Sequence, residues 1–129
     1  MNAQTDSAPG QGIAVAAEAL YLANLLLLPG LCFLALLWLY FRYRITASAL
    51  ARCHLRQTVA ASLWGGVILV IVNALILLGG GWQSAHVWMY VIIYFTVGHS
   101  SLILLGMVGL AKAMAGKSWR YPLLGLRCD

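Results

Sequence analysis

Apolar and polar positions divide this chain into three long hydrophobic stretches, Leu20–Phe41, Val59–Leu78 and Val87–Ala111, separated by short polar segments. At about 1.5 Å per helical residue they measure roughly 33, 30 and 37 Å, against a hydrocarbon core of about 30 Å. Each is long enough to cross a bilayer, and none shows the ten-residue alternation of a membrane β-barrel. The pattern predicts an all-α integral membrane protein, a three-helix transmembrane bundle. Residues 1–12 form a polar tail, and 13–129 form a single transmembrane domain. The tail carries no Lys or Arg, so the first stretch lacks the basic start of a cleavable signal sequence.

Charge orients these spans. Asp6 and Glu18 precede or open the first stretch, whereas Arg42, Arg44, Arg52 and Arg56 lie between the first and second. Residues 79–86 hold no Lys, Arg, Asp or Glu, and Lys112, Lys117, Arg120 and Arg127 follow the third stretch. All cations fall in segments that three crossings place on one side. The positive-inside bias predicts a multi-pass protein of the bacterial inner (cytoplasmic) membrane, N-terminus out and C-terminus in. Thr46 or Ser48 can cap a helix running through Ala49–Gln57 into the second span, a basic juxtamembrane helix. Arg52 and Arg56, four apart, share one face of it. Trp119 and Tyr121 among Lys117 and Arg120 suit the headgroup layer, and Pro122 stops any helix there. The lipid-facing cations Arg42, Arg44, Arg52, Arg56, Lys112, Lys117 and Arg120 match anionic headgroups, at about 1 kcal/mol each. The simpler reading is that they set topology and anchor helix ends. Four arginines beside a bilayer do not make a nucleic-acid groove.

Polar groups inside the spans need partners. Asn24 and Asn73 fall at nearly equal depth below the outer surface, so a hydrogen bond between them is expected, with a polar notch as the alternative. His99 is the deepest ionisable group, level with Gly65 and Gly66 on the second span. Ser62-x-x-x-Gly66 is a small-xxx-small pair that lets helices approach. Pro29 removes a helical hydrogen bond and predicts a kink in the first span. His99 reads either as a packed neutral histidine bonded to Ser100, Ser101 or a carbonyl, or as a haem ligand, a quinone contact or a proton-relay residue. His54, His86 and His99 lie at three depths, so no two in one chain share a haem iron.

Cys32 sits within a span, and Cys53 and Cys128 are expected as thiols in the reducing cytoplasm, without a C-x-x-C. No Walker A loop, G-x-G-x-x-G, paired carboxylates or Ser-His-Asp set is present. The expectation is a protein that is not an enzyme and takes no cofactor.

Two segments carry a resemblance. Arg52-Cys-His54-Leu-Arg-Gln57, entering a span rich in small residues, resembles the R-x-H-x-x-Q entry of chloroplast-import translocon subunits of the Tic twenty-kilodalton type. Ala111 through Leu123, with Gly116, Lys117, Arg120, Tyr121 and Pro122, resembles the A-x-x-G-K-x-[YW]-R-Y-P-[LI] tail of small bacterial membrane proteins grouped with them, whose function is unknown. The likeness runs in matching order from Pro29 to Leu124. It implies a small helical inner-membrane protein, a scaffold or assembly partner, and not protein translocation. The expected role is therefore a non-catalytic accessory or scaffold subunit packed against other membrane proteins, with homo-oligomerisation left open. The rival is a cofactor-bearing or transport-associated subunit using His99 in an oligomeric site.

Overall fold

The computed structural model describes residues 7–128. Asp6, used above in the charge argument, lies outside the described residues. Four helices and no strands occur among those described: α1 Gln11–Leu26, α2 Leu31–Tyr43, α3 Ala49–Gly80 and α4 Ala85–Met114. Helices α3 and α4 are apolar and, at about 48 and 45 Å by helical rise, long enough to cross a membrane. They enclose the expected second and third spans and form one antiparallel hairpin.

The first hydrophobic stretch does not form one span. It splits into α1 and α2, about 24 and 20 Å long, which pack against each other as a short hairpin. The expected kink at Pro29 is a full reversal. Leu27 and Leu28 both donate to the Ala23 carbonyl, ending α1. Pro29 has no N–H to continue the helix. Gly30 then takes φ 87°, and its N–H donates to Asn24 Oδ1 at 2.9 Å. The left-handed turn is one that glycine adopts without a Cβ clash. Asn24 thus fastens the hairpin tip instead of reaching Asn73, whose Nδ2 donates to its own Leu69 carbonyl at 2.7 Å.

This reversal changes the end-to-end arrangement. The Ser48 hydroxyl donates to the Pro9 carbonyl at 2.7 Å and accepts from Ala51 N–H, capping α3 as expected. Gln11 Nε2 donates to the Met114 carbonyl at 2.6 Å. The chain before α1, the Arg42–Arg44 bend and the end of α4 therefore meet at one end of the bundle, here called the base. Residues 8–10 lie beside the arginine loop, not across the bundle from it, which corrects the N-out, loop-in arrangement.

Helix α1 lies against both α3 and α4, and α2 against α3. Ala17, Leu36 and Leu55 form one buried cluster, bordered by Ile13, Leu39 and Val59. The short hairpin covers only the base half of the long one, and beyond it α3 and α4 touch only each other. In that outer half, Val67–Ile71 forms a wider π turn within α3, directly after Gly65-Gly66. Gly81 at φ 87° closes the long hairpin. There Trp88 Nε1 donates to the Trp82 carbonyl and the two indoles meet edge to face, an arrangement suited to a membrane interface.

Candidate functional site

The base is held by a polar cluster that buries three elements against one another. Glu18 comes from the middle of α1, His54 and Gln57 from the first turns of α3, and Tyr121 from the segment after α4. All four side chains are fully buried. That segment leaves α4 at Met114, turns at Gly116 with φ 66°, and folds back across the base as a strap.

Glu18 is the centre. Its Oε1 lies 2.6 Å from His54 Nδ1, and its Oε2 accepts from the Tyr121 hydroxyl at 2.5 Å. His54 Nε2 lies 2.9 Å from the Lys117 carbonyl. Both ring nitrogens therefore face oxygens. An imidazolium beside a Glu18 carboxylate satisfies both, as does a neutral imidazole that donates from Nε2 and accepts at Nδ1 from the Glu18 carboxyl. Burial, followed by the neighbouring Glu18 charge, pushes the Tyr121 phenol well above its ordinary range, so the hydroxyl stays protonated and donates.

Gln57 binds the strap through both ends of its amide. Its Nε2 donates to the Leu126 carbonyl, and its Oε1 accepts from Tyr121 N–H at 3.4 Å. The Tyr21 ring packs edge to face on Tyr121, and the Tyr21 hydroxyl donates to the Leu102 carbonyl.

Two glycines of α4 make room for this cluster. A Cβ on Gly109 would lie 2.5 Å from Glu18 Oε2 and 2.8 Å from the Tyr121 hydroxyl. One on Gly106 would lie 2.6 Å from the Tyr21 ring. The α4 backbone is thus the wall against which the carboxylate rests.

The structure brings His54, Gln57, Lys117 and Tyr121 together from both resembling segments. It corrects the placement of several of them. His54 and Tyr121 are fully buried in the fold, Tyr121 as part of the strap. Glu18, read above as a charge preceding the first span, is the buried partner of both. Arg120 and Pro122 are exposed on the strap, and Gly116 supplies its turn.

The cations ring the base. Arg44, Arg52 and Arg56 line a cavity of about 630 Å³ beside Cys53 and Cys128, so the expected shared face of Arg52 and Arg56 is present. Arg42 lies over the Tyr43 ring and Arg44 over Phe41. Among the described residues Glu18 is the only carboxylate, and the Glu18–His54 contact is the only ion pair. Cys53 and Cys128, expected as separate thiols, are joined as a disulfide with Cα atoms 4.9 Å apart, because the strap returns to α3.

At mid-height of the long hairpin the tip of α1–α2 ends beside Ser62, Gly65, Gly66 and His99. The expected juxtaposition of His99 with the glycines is present. A Cβ on Gly65 would touch Leu102, whereas one on Gly66 meets nothing within 4 Å, so Gly66 borders open space and not a tight helix contact. The His99 ring stacks on Phe95 at 5.2 Å. Its Nδ1 has no partner, and Ser101 donates to the Val97 carbonyl instead. Among the described residues no three His, Cys, Asp or Glu side chains cluster as metal ligands.

No family model matches this chain, and neither a curated protein nor a solved structure matches it.

Proposed function

We propose that this chain is a small non-catalytic subunit of the bacterial inner membrane, an accessory or scaffold that docks other membrane helices on the outer half of its long hairpin. On this reading the base faces the cytoplasm, where its arginines and lysines meet anionic headgroups and the adjoining Cys53 and Cys128 stand as a reduced pair of thiols. The long hairpin crosses twice, and α1–α2 enters from the base and returns to it, since each arm is shorter than the hydrocarbon core. The resemblance to the small bacterial proteins grouped with the import-translocon subunits fits this role. Of its motif residues, His54 and Tyr121 meet through Glu18, and Gln57 bonds the Tyr121 N–H.

One observation carries the reading. Glu18, His54 and Tyr121 are fully buried with their hydrogen-bonding atoms occupied by each other and by the Lys117 carbonyl. Such a cluster holds helices in place and offers no atom to a substrate. Beyond the short hairpin, by contrast, Leu75, Ile93 and Val97 are more than half exposed. Apolar helix faces of this kind pack equally well on lipid or on another helix. Photo-crosslinkers at Leu75 and Ile93, activated in native membranes, test the choice. A discrete adduct with one membrane protein, or with a second copy, is expected. Lipid adducts alone, from a chain that remains monomeric in native nanodiscs, overturn the reading.

A further inference from the structure

The space beside His99 has features that packing alone leaves unexplained. It measures about 420 Å³, within the roughly 300–1,000 Å³ of small-molecule sites. Its walls are mostly apolar, with Phe33 on the short hairpin and the Phe95–His99 stack on α4. Two of the residues that line it carry a buried polar atom without a partner: Ser62 Oγ, on a residue only 8% exposed, and His99 Nδ1. Buried polar groups are ordinarily paired, so orphans lining an open cavity mark where a ligand atom belongs. Asn24 adds a third polar group of defined direction. Its Oδ1 is taken by Gly30 N–H, which leaves the Nδ2 amide as a donor at the cavity. No Lys, Arg, Asp or Glu lines the space, so an ionic ligand would be uncompensated there.

We infer that this cavity binds a lipid-soluble molecule with a planar ring and a carbonyl oxygen, of the quinone class. The ring lies among the aromatic side chains. Its carbonyl accepts from the Ser62 hydroxyl and the Asn24 amide, or from His99 in the tautomer protonated at Nδ1. Its alkyl chain leaves between the exposed apolar residues Leu63 and Val70 into lipid. The site goes beyond the scaffold role and rests only on the membrane placement of the long hairpin.

The test uses the full chain in nanodiscs, with a decyl-substituted benzoquinone as probe and the corresponding dimethoxybenzene, which lacks the carbonyls, as control. Calorimetry is expected to show saturable binding of the quinone, one per chain, and at least fivefold weaker binding of the control. Gly66→Leu fills open space, so it is expected to fold normally and to abolish binding. Ser62→Ala keeps the helix contacts and is expected to weaken binding about fivefold, the loss of one neutral hydrogen bond. A photoreactive azidoquinone should label residues of this cavity. Equal affinity for the control, unchanged binding in both variants, or partitioning without saturation overturns the assignment. Failure of the membrane placement is read separately: a chain that stays in solution without detergent refutes that placement whatever it binds.

Discussion

Removing His54 is the most direct perturbation of the base. His54→Leu preserves bulk but leaves the Glu18 carboxylate buried with only the Tyr121 hydroxyl as a donor, and it strips the Lys117 carbonyl of its partner. Breaking a fully buried pair by deleting one member costs about 3–5 kcal/mol, because the survivor is an uncompensated charge. That is a large part of a typical stability of about 5–15 kcal/mol. Glu18→Leu should cost a similar amount for the mirror-image reason. The double variant Glu18→Leu/His54→Leu removes both charges together. Its cost stays below the sum of the two singles, at about 2–6 kcal/mol for the Tyr121 hydroxyl and Lys117 carbonyl left unpaired. Adding Tyr121→Phe should recover part of that. The measurement is chemical unfolding in micelles followed by circular dichroism, with tryptic cleavage after Lys117 and Arg120 reporting release of the strap. A double variant that costs the full sum of the two singles would refute the coupled pair. So would a His54→Leu variant within about 0.5 kcal/mol of the parent.

Gly109→Ala places a methyl on the Glu18 carboxylate and the Tyr121 hydroxyl; a loss of about 1–3 kcal/mol is expected in the same unfolding assay, whereas Gly66→Ala should be nearly silent. The Tyr121 phenol is raised above its ordinary value near 10. Folded chains therefore keep a proton that unfolded chains release, so stability is intact below about pH 10 and falls as pH rises further. Tyr121→Phe should flatten that alkaline decline in a pH series of unfolding midpoints, and an unchanged slope would count against the buried hydrogen bond. Cysteines at Ala8 and Thr46 should react with an impermeant maleimide from one side of sealed vesicles and a cysteine at Gln83 from the other; labelling of Ala8 with Gln83 would overturn the hairpin.

The long hairpin was legible because runs of about twenty apolar residues have few other uses. The cap at Ser48 and the meeting of His99 with Gly65 and Gly66 could likewise be read from helical rise. The short hairpin could not. A run of apolar residues has no polar stripe to reveal whether it makes one helix or two, and Pro29 alone fits either a kink or a reversal. The signal that tips the balance is the pair Asn24 and Gly30, six apart, since it supplies both a side-chain acceptor and a residue tolerant of positive φ. Glu18 was visible too. It lies in an apolar run from Ile13 to Leu28 as the only acid, and such a residue requires a partner. Naming that partner requires knowing that α1 runs back along the first turns of α3, which follows from the reversal. Gly106 and Gly109 carried no such signal, because their role appears only once Tyr21 and Glu18 stand opposite them.

A buried ion pair is weak evidence for stability as such, since well-packed apolar groups of similar volume often do as well. Its value here is in choosing among arrangements. In lipid, apolar helices gain little by preferring one register over another, because hydrocarbon surrounds them in every case. Helix α1 has a nearly uniform apolar surface apart from Glu18, Tyr21 and Asn24. If α1 continued through Pro29 as a single span, Glu18 would lie at the far end of the bundle from His54, and the imidazole would lose its carboxylate. If the strap did not return, Tyr121 and the Lys117 carbonyl would be absent from the cluster. Only the arrangement with a reversed α1–α2 and a closed strap pairs all of these atoms. The same reversal carries Asn24 and Phe33 up to His99 and so forms the upper cavity. The polar lock at the base and the unfilled space above it are thus two consequences of one turn at Pro29-Gly30.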